Sequence, residues 1–317
     1  MTTNRLIEAA AALPSPAPRL TLSYSPLRLD RDGLPPLELR LTAPAEGERL
    51  PIILLSHGYG PSFYLPSKDG YAPLAQFWAE RGFAVIQPTH ASSRVGGLPL
   101  DKPGAPFFWR ERVAELRLIL DRLQDVAHQA PGLEGRLDPA RIAAAGHSFG
   151  GHTVSLLLGA TLDGETFRDP RITAGVLLAA PGRGGADLLP ESAARFPFFD
   201  LDFGGIAAPS LVVCGSEDAS HFTTRGPDWH VDPYRDAAGS SALLMLTGAG
   251  HGLGGIAGLD AKETETESPD MLEATKRMTL AWLQTELRLD PSAWSAARDA
   301  LRAKAPALGT VEERSAA

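Results

Sequence analysis

Short apolar runs alternate with amphipathic or small-residue segments along most of the chain. Apolar runs of about four residues are typical of strands buried on both faces of a sheet, and longer segments with an apolar position every three or four residues are typical of helices. This alternation predicts an α/β fold with a mostly parallel central sheet and helices on both faces. The predicted strands lie at residues 37–42, 52–55, 83–86, 141–145, 176–179, 211–214 and 243–246, and the predicted helices at 71–81, 109–127, 151–159 and 271–287.

The same pattern predicts how the chain is divided. We expect an N-terminal arm at residues 1–20, a single α/β domain at 21–288, and a polar, alanine-rich tail at 289–317 that is either helical or partly disordered. Residues 182–205 interrupt the rhythm with Gly, Pro and Phe. Because they follow a predicted strand, we expect them to form a short insertion in the domain.

Composition excludes several function classes. The formal net charge is −8, which argues against a nucleic-acid partner because phosphate binding needs a basic patch. Cys214 is the single cysteine, so neither an intramolecular disulfide nor a cysteine-rich zinc site is possible. The first residues lack the apolar core of a secretory signal, and no apolar run approaches the ~20 residues that span a bilayer. We therefore expect a cytoplasmic protein without a membrane span.

The most informative motif is G-x-S-x-G at residues 146–150, with Ser148 at its centre. In this motif the serine lies on a strained turn between a strand and a helix, and the glycines leave room where a Cβ would contact the neighbouring backbone. The motif follows the predicted strand at 141–145 and opens the predicted helix at 151–159, as this turn requires. Ser148 is therefore the candidate nucleophile.

The serine hydroxyl needs a base, and the base needs an acid that orients it. In proteins with this motif the order along the chain is serine, acid, histidine. His251 follows an apolar run directly, in a glycine-rich loop, and is the candidate base. Asp218 follows the preceding apolar run and is the candidate acid, with the adjacent Glu217 as the alternative.

Two backbone N–H groups are candidates for binding the oxyanion of a tetrahedral intermediate. The residue after the nucleophile, Phe149, supplies one of them. The loop His57-Gly58-Tyr59-Gly60 follows the predicted strand at 52–55, and its glycines allow the main chain to turn an N–H group inward. We assign this second donor to Tyr59. The His57 side chain is interpreted as a structural contact beneath the loop.

The motif at 146–151 and the His57-Gly58 loop upstream resemble those of the α/β-hydrolase superfamily, over roughly residues 37–287. These residues look like the branch with platelet-activating-factor acetylhydrolases, chlorophyllases, bacterial polyester hydrolases and dienelactone-hydrolase-like proteins. The resemblance implies the α/β-hydrolase fold, with a short lid-like insertion at residues 182–205, and the triad Ser148, Asp218 and His251. True dienelactone hydrolases have cysteine at the position of Ser148, which argues against a dienelactone substrate.

These observations predict a serine hydrolase that cleaves carboxylic esters through an acyl-enzyme. Lactones, thioesters and amides remain alternative substrates of the same triad, and a catalytically inactive binding protein of the same fold is an alternative from another class. Five aromatic residues either line the substrate pocket or pack into the core, namely Phe196, Phe198, Phe199, Phe222 and Trp229. No metal-ligand spacing and no phosphate-binding loop occurs, so neither a cofactor nor a metal is expected, and the oligomeric state is left open.

Overall fold

The computed structural model describes residues 5–59, 64–258 and 267–315. The strands within them are β1 (Thr21–Arg31), β2 (Leu34–Pro44), β3 (Leu50–Ser56), β4 (Ala84–Pro88), β5 (Leu137–His147), β6 (Thr161–Leu162), β7 (Glu165–Thr166), β8 (Ile172–Leu178), β9 (Leu201–Asp202), β10 (Ser210–Gly215), β11 (Ser241–Leu246) and β12 (Gly309–Arg314). Nine of these form the central sheet, in the order β1-β2-β4-β3-β5-β8-β10-β11-β12. The order β7-β6-β9 describes a small second sheet.

The centre of the large sheet is parallel. Strands β4, β3, β5, β8, β10 and β11 all pair in parallel with their neighbours in this series. The antiparallel strands lie at the edges, β1 and β2 on one side and β12 on the other. The prediction of an α/β fold with a mostly parallel sheet is confirmed.

The helices of the described residues are α1 (Arg5–Ala11), α2 (Ala72–Ala79), α3 (Trp109–Asp121), α4 (Leu123–His128), α5 (Phe149–Leu158), α6 (Pro190–Arg195), α7 (Asp232–Asp236), α8 (Pro269–Glu286) and α9 (Ala293–Lys304). Short 3-10 helices lie at Ser67–Asp69, Gly185–Asp187, Pro197–Phe199, Phe203–Gly205 and Gly226–Val231. The single helix expected at 109–127 is two helices, because the backbone of Arg122 leaves the helical conformation at φ −117° and ends α3.

Two hydrophobic clusters cover the two faces of the sheet, as strand β3 shows. Ile52 and Leu54 belong to one cluster, together with apolar residues of α3 and α5. Ile53 and Leu55 belong to the other, together with apolar residues of α1, α2, α8 and α9. Successive side chains of a strand point to opposite faces, so a continuous apolar run buries both.

Described residues of the predicted arm at 1–20 and of the predicted tail at 289–317 pack onto the domain. Ala10 and Leu13, in the predicted arm, are buried in the cluster that includes α8. The predicted tail forms α9 and then β12, which pairs with β11 and completes the sheet. An edge strand buries few side chains, so the sequence of β12 lacks the apolar run by which the central strands were recognised.

The predicted insertion at 182–205 consists mainly of short elements. It contains α6, several 3-10 turns and β9, which is an edge strand of the small sheet. Its Phe198, Phe199 and Phe203 are buried in the larger hydrophobic cluster. Among the described residues, none of the helices is both long enough and apolar enough to span a bilayer.

Candidate active site

The carboxyl ends of four parallel strands meet at one edge of the sheet. Ser148 follows β5, Asp218 follows β10, and His251 follows β11. Tyr59 follows β3, which pairs in parallel with β5. Parallel strands point their ends the same way, so residues far apart in the chain are brought to a common edge.

The turn at Ser148 has the backbone of a strained elbow. Ser148 has φ 53° and ψ −121° and stands directly before α5. An added Cβ at Gly146 would lie 2.2 Å from the carbonyl oxygen of Gly150, and one at Gly150 would lie 2.0 Å from the carbonyl oxygen of Ser56. Real Cβ atoms do not approach backbone that closely, so only glycine fits on either side of the serine.

The structure brings the three predicted triad residues into one hydrogen-bonded series. His251 Nε2 lies 2.9 Å from Ser148 Oγ, and His251 Nδ1 lies 3.0 and 3.1 Å from the two carboxylate oxygens of Asp218. Since the carboxylate accepts, Nδ1 carries the proton of the neutral imidazole, and Nε2 accepts the hydrogen bond of the Ser148 hydroxyl. This is the tautomer that a general base requires.

Asp218, and not the alternative Glu217, is the acid that contacts His251. Asp218 is buried, whereas Glu217 is exposed at the turn. Burial alone raises the pKa of a carboxyl group, but the adjacent imidazoles of His230 and His251 outweigh it and hold the pKa of Asp218 well below its usual range. Asp218 is therefore a carboxylate at neutral pH, which is the state that the acid of a triad requires.

The two residues predicted to donate to an oxyanion lie next to each other. Phe149 is the first residue of α5, so its N–H is one of the first-turn groups without a partner inside the helix. The rings of Tyr59 and Phe149 are in edge contact, with centroids 6.1 Å apart. Gly60, the last residue of the predicted loop, lies outside the described residues.

A relay through Tyr71 and His147 joins the loop at residues 57–60 to the base. It was not predicted from the sequence. The N–H of Gly58 donates to Tyr71 Oη at 3.1 Å, and Tyr71 Oη lies 2.7 Å from His147 Nδ1. His147 Nε2 lies 2.9 Å from the backbone carbonyl oxygen of His251. A carbonyl oxygen only accepts, so Nε2 carries the proton, and Nδ1 accepts from the tyrosine hydroxyl.

His147 remains neutral in this position. Burial, and secondarily the charge of His251, lowers its pKa to about 3. The directions of its hydrogen bonds are therefore constant across the ordinary pH range. The position of His147 inside the 146–150 motif is a signal that was available in the sequence, whereas nothing local to Tyr71 indicates its part in the relay.

A second missed histidine, His230, lies on the far side of the acid. It belongs to the 3-10 helix Gly226–Val231 and is buried. Its Nε2 is 3.3 Å from Asp218 Oδ2, and its Nδ1 is 2.8 Å from the carbonyl oxygen of Ala180. The imidazole ring of His230 also approaches that of His251, with centroids 5.8 Å apart. Asp218 thus lies between two histidines.

Four of the five aromatic residues predicted near the substrate are buried in the core cluster, namely Phe196, Phe198, Phe199 and Trp229. This is the packing role given above as the alternative for them. Phe196 also lines a surface cavity of about 580 Å³, together with Phe222, Leu189, Pro190, Glu191, Ser192, Arg195 and His221. The rings of the core and of the cavity wall are in contact, for example Phe199 with Phe222 at 6.1 Å.

A fully buried polar series lies beneath the oxyanion loop. His90 Nδ1 is 2.7 Å from Glu115 Oε2, and His90 Nε2 is 2.9 Å from Ser56 Oγ. The Arg112 guanidinium also donates to Ser56 Oγ, at 3.1 Å, and to the carbonyl oxygen of His57. The His57 ring contacts the same cluster, since its Nε2 accepts the N–H of His90. These contacts anchor the loop from below.

Comparison with models of known protein families finds none that matches this chain, and comparison with curated proteins also finds no match. Support for a function therefore comes from the geometry of the site.

Proposed function

We propose that this protein is a serine hydrolase that cleaves carboxylic esters through an acyl-enzyme intermediate. The observation that carries the proposal is the continuous series from Asp218 through His251 to Ser148, with each contact at hydrogen-bond distance. The hydroxyl at its end stands on a strained turn that presents it above the sheet. A neutral imidazole in this tautomer accepts a proton from the serine as the serine attacks.

The reaction follows from these positions. His251 Nε2 takes the proton of Ser148 Oγ while the oxygen attacks the ester carbonyl carbon. The backbone N–H groups of Phe149 and Tyr59 stabilise the negative charge on the carbonyl oxygen. Collapse breaks the bond to the alcohol oxygen, which leaves with the proton from His251. Water then gives a proton to His251 and attacks the acyl carbon. The bond from the acyl carbon to Ser148 Oγ breaks, the acid is released, and Oγ takes the proton back from His251.

The proposal includes the α/β-hydrolase fold. Its support is the sequence of strand, nucleophile turn and helix at β5 and α5, together with the order of serine, acid and histidine along the chain. The acid and the base follow β10 and β11, which are adjacent and parallel in the sheet.

We place the apolar group of a small ester in the cavity beside α6, whose lining includes none of the three triad residues. Its volume of about 580 Å³ is within the range of roughly 300–1,000 Å³ for small-molecule sites. Its wall combines the rings of Phe196 and Phe222 with the polar side chains of Glu191 and Arg195. Phe222 is on the segment that continues from Asp218, so the cavity borders the loop of the acid.

The test is hydrolysis of p-nitrophenyl esters of graded acyl length by the full chain and two variants. Ser148→Ala should lower kcat by about 10⁴-fold or more, because the nucleophile is removed, and its circular dichroism spectrum should be unchanged. Ser155→Ala is the matched control on the same helix; its buried Oγ has no hydrogen-bond partner among the described residues, so turnover should be kept. Equal turnover in Ser148→Ala and the parent protein would refute the proposal.

A further inference from the structure

Three side chains of types that commonly bind metals converge at the acid of the triad. Ligand atoms of Asp218, His230 and His251 all lie within 4.8 Å of one another. They come from separate parts of the chain, which is why no metal-ligand spacing was recognised in the sequence. Two nitrogen donors and one carboxylate form a ligand set that Zn²⁺ uses in proteins when a fourth position is left open.

The state of His230 is the independent observation that points to a ligand. Its Nδ1 must donate to the carbonyl oxygen of Ala180, 2.8 Å away. Its Nε2 is buried and meets no hydrogen-bond geometry with any described residue, although Asp218 Oδ2 is only 3.3 Å away. A buried nitrogen lone pair beside a carboxylate oxygen is unfavourable, and a cation held between the two atoms would relieve this cost.

The distances suit a shared tetrahedral ion. With metal–ligand bonds of about 2.0–2.1 Å, neighbouring ligand atoms of tetrahedral Zn²⁺ lie about 3.3–3.4 Å apart. The separation of His230 Nε2 and Asp218 Oδ2 is 3.3 Å, and that of His251 Nδ1 and Asp218 Oδ2 is 3.0 Å. The third edge, between the two histidines, is within 4.8 Å. The side chain of His251 is 36% exposed, so solvent reaches the cluster.

We propose that Asp218, His230 and His251 form an inhibitory zinc site. Mg²⁺ and Ca²⁺ prefer oxygen ligands, whereas two imidazoles favour Zn²⁺. Zn²⁺ replaces the proton on His251 Nδ1, and in the neutral ring that proton moves to Nε2. Nε2 then donates instead of accepting, so it no longer takes the proton of Ser148. Metal binding itself does not depend on the proposed hydrolase function, but inhibition rests on it.

Binding is tested without any activity readout, by calorimetric titration of the metal-free full chain with ZnCl₂ and by the absorption spectrum of its Co²⁺ form. We expect one Zn²⁺ per chain and the intense visible bands of tetrahedral Co²⁺. His230→Asn keeps a side-chain donor for the Ala180 carbonyl but removes the Nε2 ligand, and it should weaken binding at least tenfold. Equal affinity of His230→Asn and the parent protein, or no stoichiometric binding, would overturn the site.

Two further variants keep this test decisive. His128→Asn removes an exposed histidine far from the cluster and should leave the stoichiometric site unchanged; loss of that site in His128→Asn would overturn the assignment. Asp218→Asn should lose binding as His230→Asn does, which guards against a folding defect in one variant. Retained binding in both folded variants would refute the proposed ligands.

Inhibition is measured separately, with the ester that the parent protein hydrolyses best. Zn²⁺ should abolish turnover at saturation of the site, EDTA should restore it, and His230→Asn should need at least tenfold more Zn²⁺ for the same effect. Full turnover at saturating Zn²⁺ would overturn the inhibitory role. If no ester is hydrolysed, the proposed function fails while the titrations still decide the metal site.

Discussion

Two hydrogen-bonded series occur in this protein, and each consists of a carboxylate, an imidazole and a serine hydroxyl in the same order. In each, one histidine nitrogen contacts a carboxylate and the other contacts a serine hydroxyl at 2.9 Å. The first series is Asp218, His251 and Ser148, and the second is Glu115, His90 and Ser56. The comparison shows that side-chain identity and hydrogen bonding alone do not define a reactive serine.

Access separates the two series first. Ser56 and His90 are completely buried, whereas Ser148 is partly exposed and the His251 side chain is 36% exposed. An ester cannot reach a hydroxyl that the core covers. Ser56 is the last residue of β3, inside the sheet, while Ser148 stands on the turn beyond β5. The position of Ser148 on the backbone turn, and not its hydrogen-bond partners, exposes its hydroxyl to solvent.

A fixed cation separates them further. The Arg112 guanidinium donates to Ser56 Oγ and is buried itself. It occupies a lone pair of the oxygen that would attack, so the hydroxyl is engaged on both sides. The Ser148 hydroxyl is bound by a neutral imidazole that accepts its proton.

The two carboxyl groups also shift in opposite directions. Burial raises the pKa of Glu115 to about 7, despite the nearby charges of Arg31 and Arg112. For Asp218, burial is outweighed by the two adjacent imidazoles of His230 and His251, and the pKa falls. The acid of the exposed series is thus a permanent anion, as orientation of a catalytic base requires, whereas the buried series changes its charge near neutral pH.

The largest difference is expected in covalent labelling. A fluorophosphonate probe reacts with an activated, accessible serine, so it should label the peptide that contains Ser148 to about one mole per mole and leave the Ser56 peptide unlabelled. Tryptic mapping by mass spectrometry measures both peptides in one sample. Label on Ser56, or none on Ser148, would show that burial does not separate a reactive serine from an unreactive one in this protein.

Removing the two acids should separate turnover from structure. Asp218→Asn should lower kcat/KM by about 10⁴-fold, because the amide favours the wrong tautomer of the base. Glu115→Gln should retain turnover within about tenfold per folded molecule, because Glu115 acts only through the support of the loop. Steady-state kinetics on both folded variants decides this. A comparable fall in both would mean that the buried series takes part in the chemistry.

A smaller effect is expected for the relay that joins the oxyanion loop to the base. Tyr71→Phe removes the hydroxyl between Gly58 and His147, so kcat should fall by about 10- to 100-fold through loss of alignment, with little change in KM. Tyr24→Phe removes a hydroxyl bonded to the Pro131 carbonyl, outside the site, and serves as the control. If both variants behave alike, Tyr71 has only a packing role.

The smallest effect concerns stability against pH. The folded-state pKa of Glu115 is about 7, above its ordinary 4.5, so between these values the folded protein holds the proton longer than the unfolded chain. Its contribution to stability is therefore complete below pH 4.5 and is lost as pH rises towards 7. The glutamine side chain of Glu115→Gln does not titrate, so this variant lacks the pH-dependent contribution.

The difference in free energy of unfolding between the parent protein and Glu115→Gln should consequently shift against the parent as pH rises. The slope should reach at most about 1.4 kcal/mol per pH unit between pH 4.5 and 7. Urea unfolding at several pH values measures it, with the exposed variant Glu48→Gln as reference. A constant difference across this range would show that Glu115 does not change its protonation.

By itself, the sequence determined the features that depend on local signals. Apolar runs predicted the central parallel strands, because a strand buried on both faces has no polar positions to spare. Spacing predicted the turn at Ser148, because the glycines at 146 and 150 allow the close backbone contacts of this turn, with Gly150 itself and with Ser56 of the neighbouring strand. Residues that follow strands at the shared edge predicted Asp218, His251 and Tyr59, since parallel strands converge there.

Only the tertiary structure decided which side chains support these residues. Tyr71 and His147 are 76 positions apart in the chain, and His147 and the carbonyl of His251 are 104 apart, so no local pattern records their contact. The edge strand β12 and the burial of the N-terminal helix were hidden for a related reason. An element that buries few side chains has a weak periodic signal, and its place is determined by the sheet or helix against which it packs.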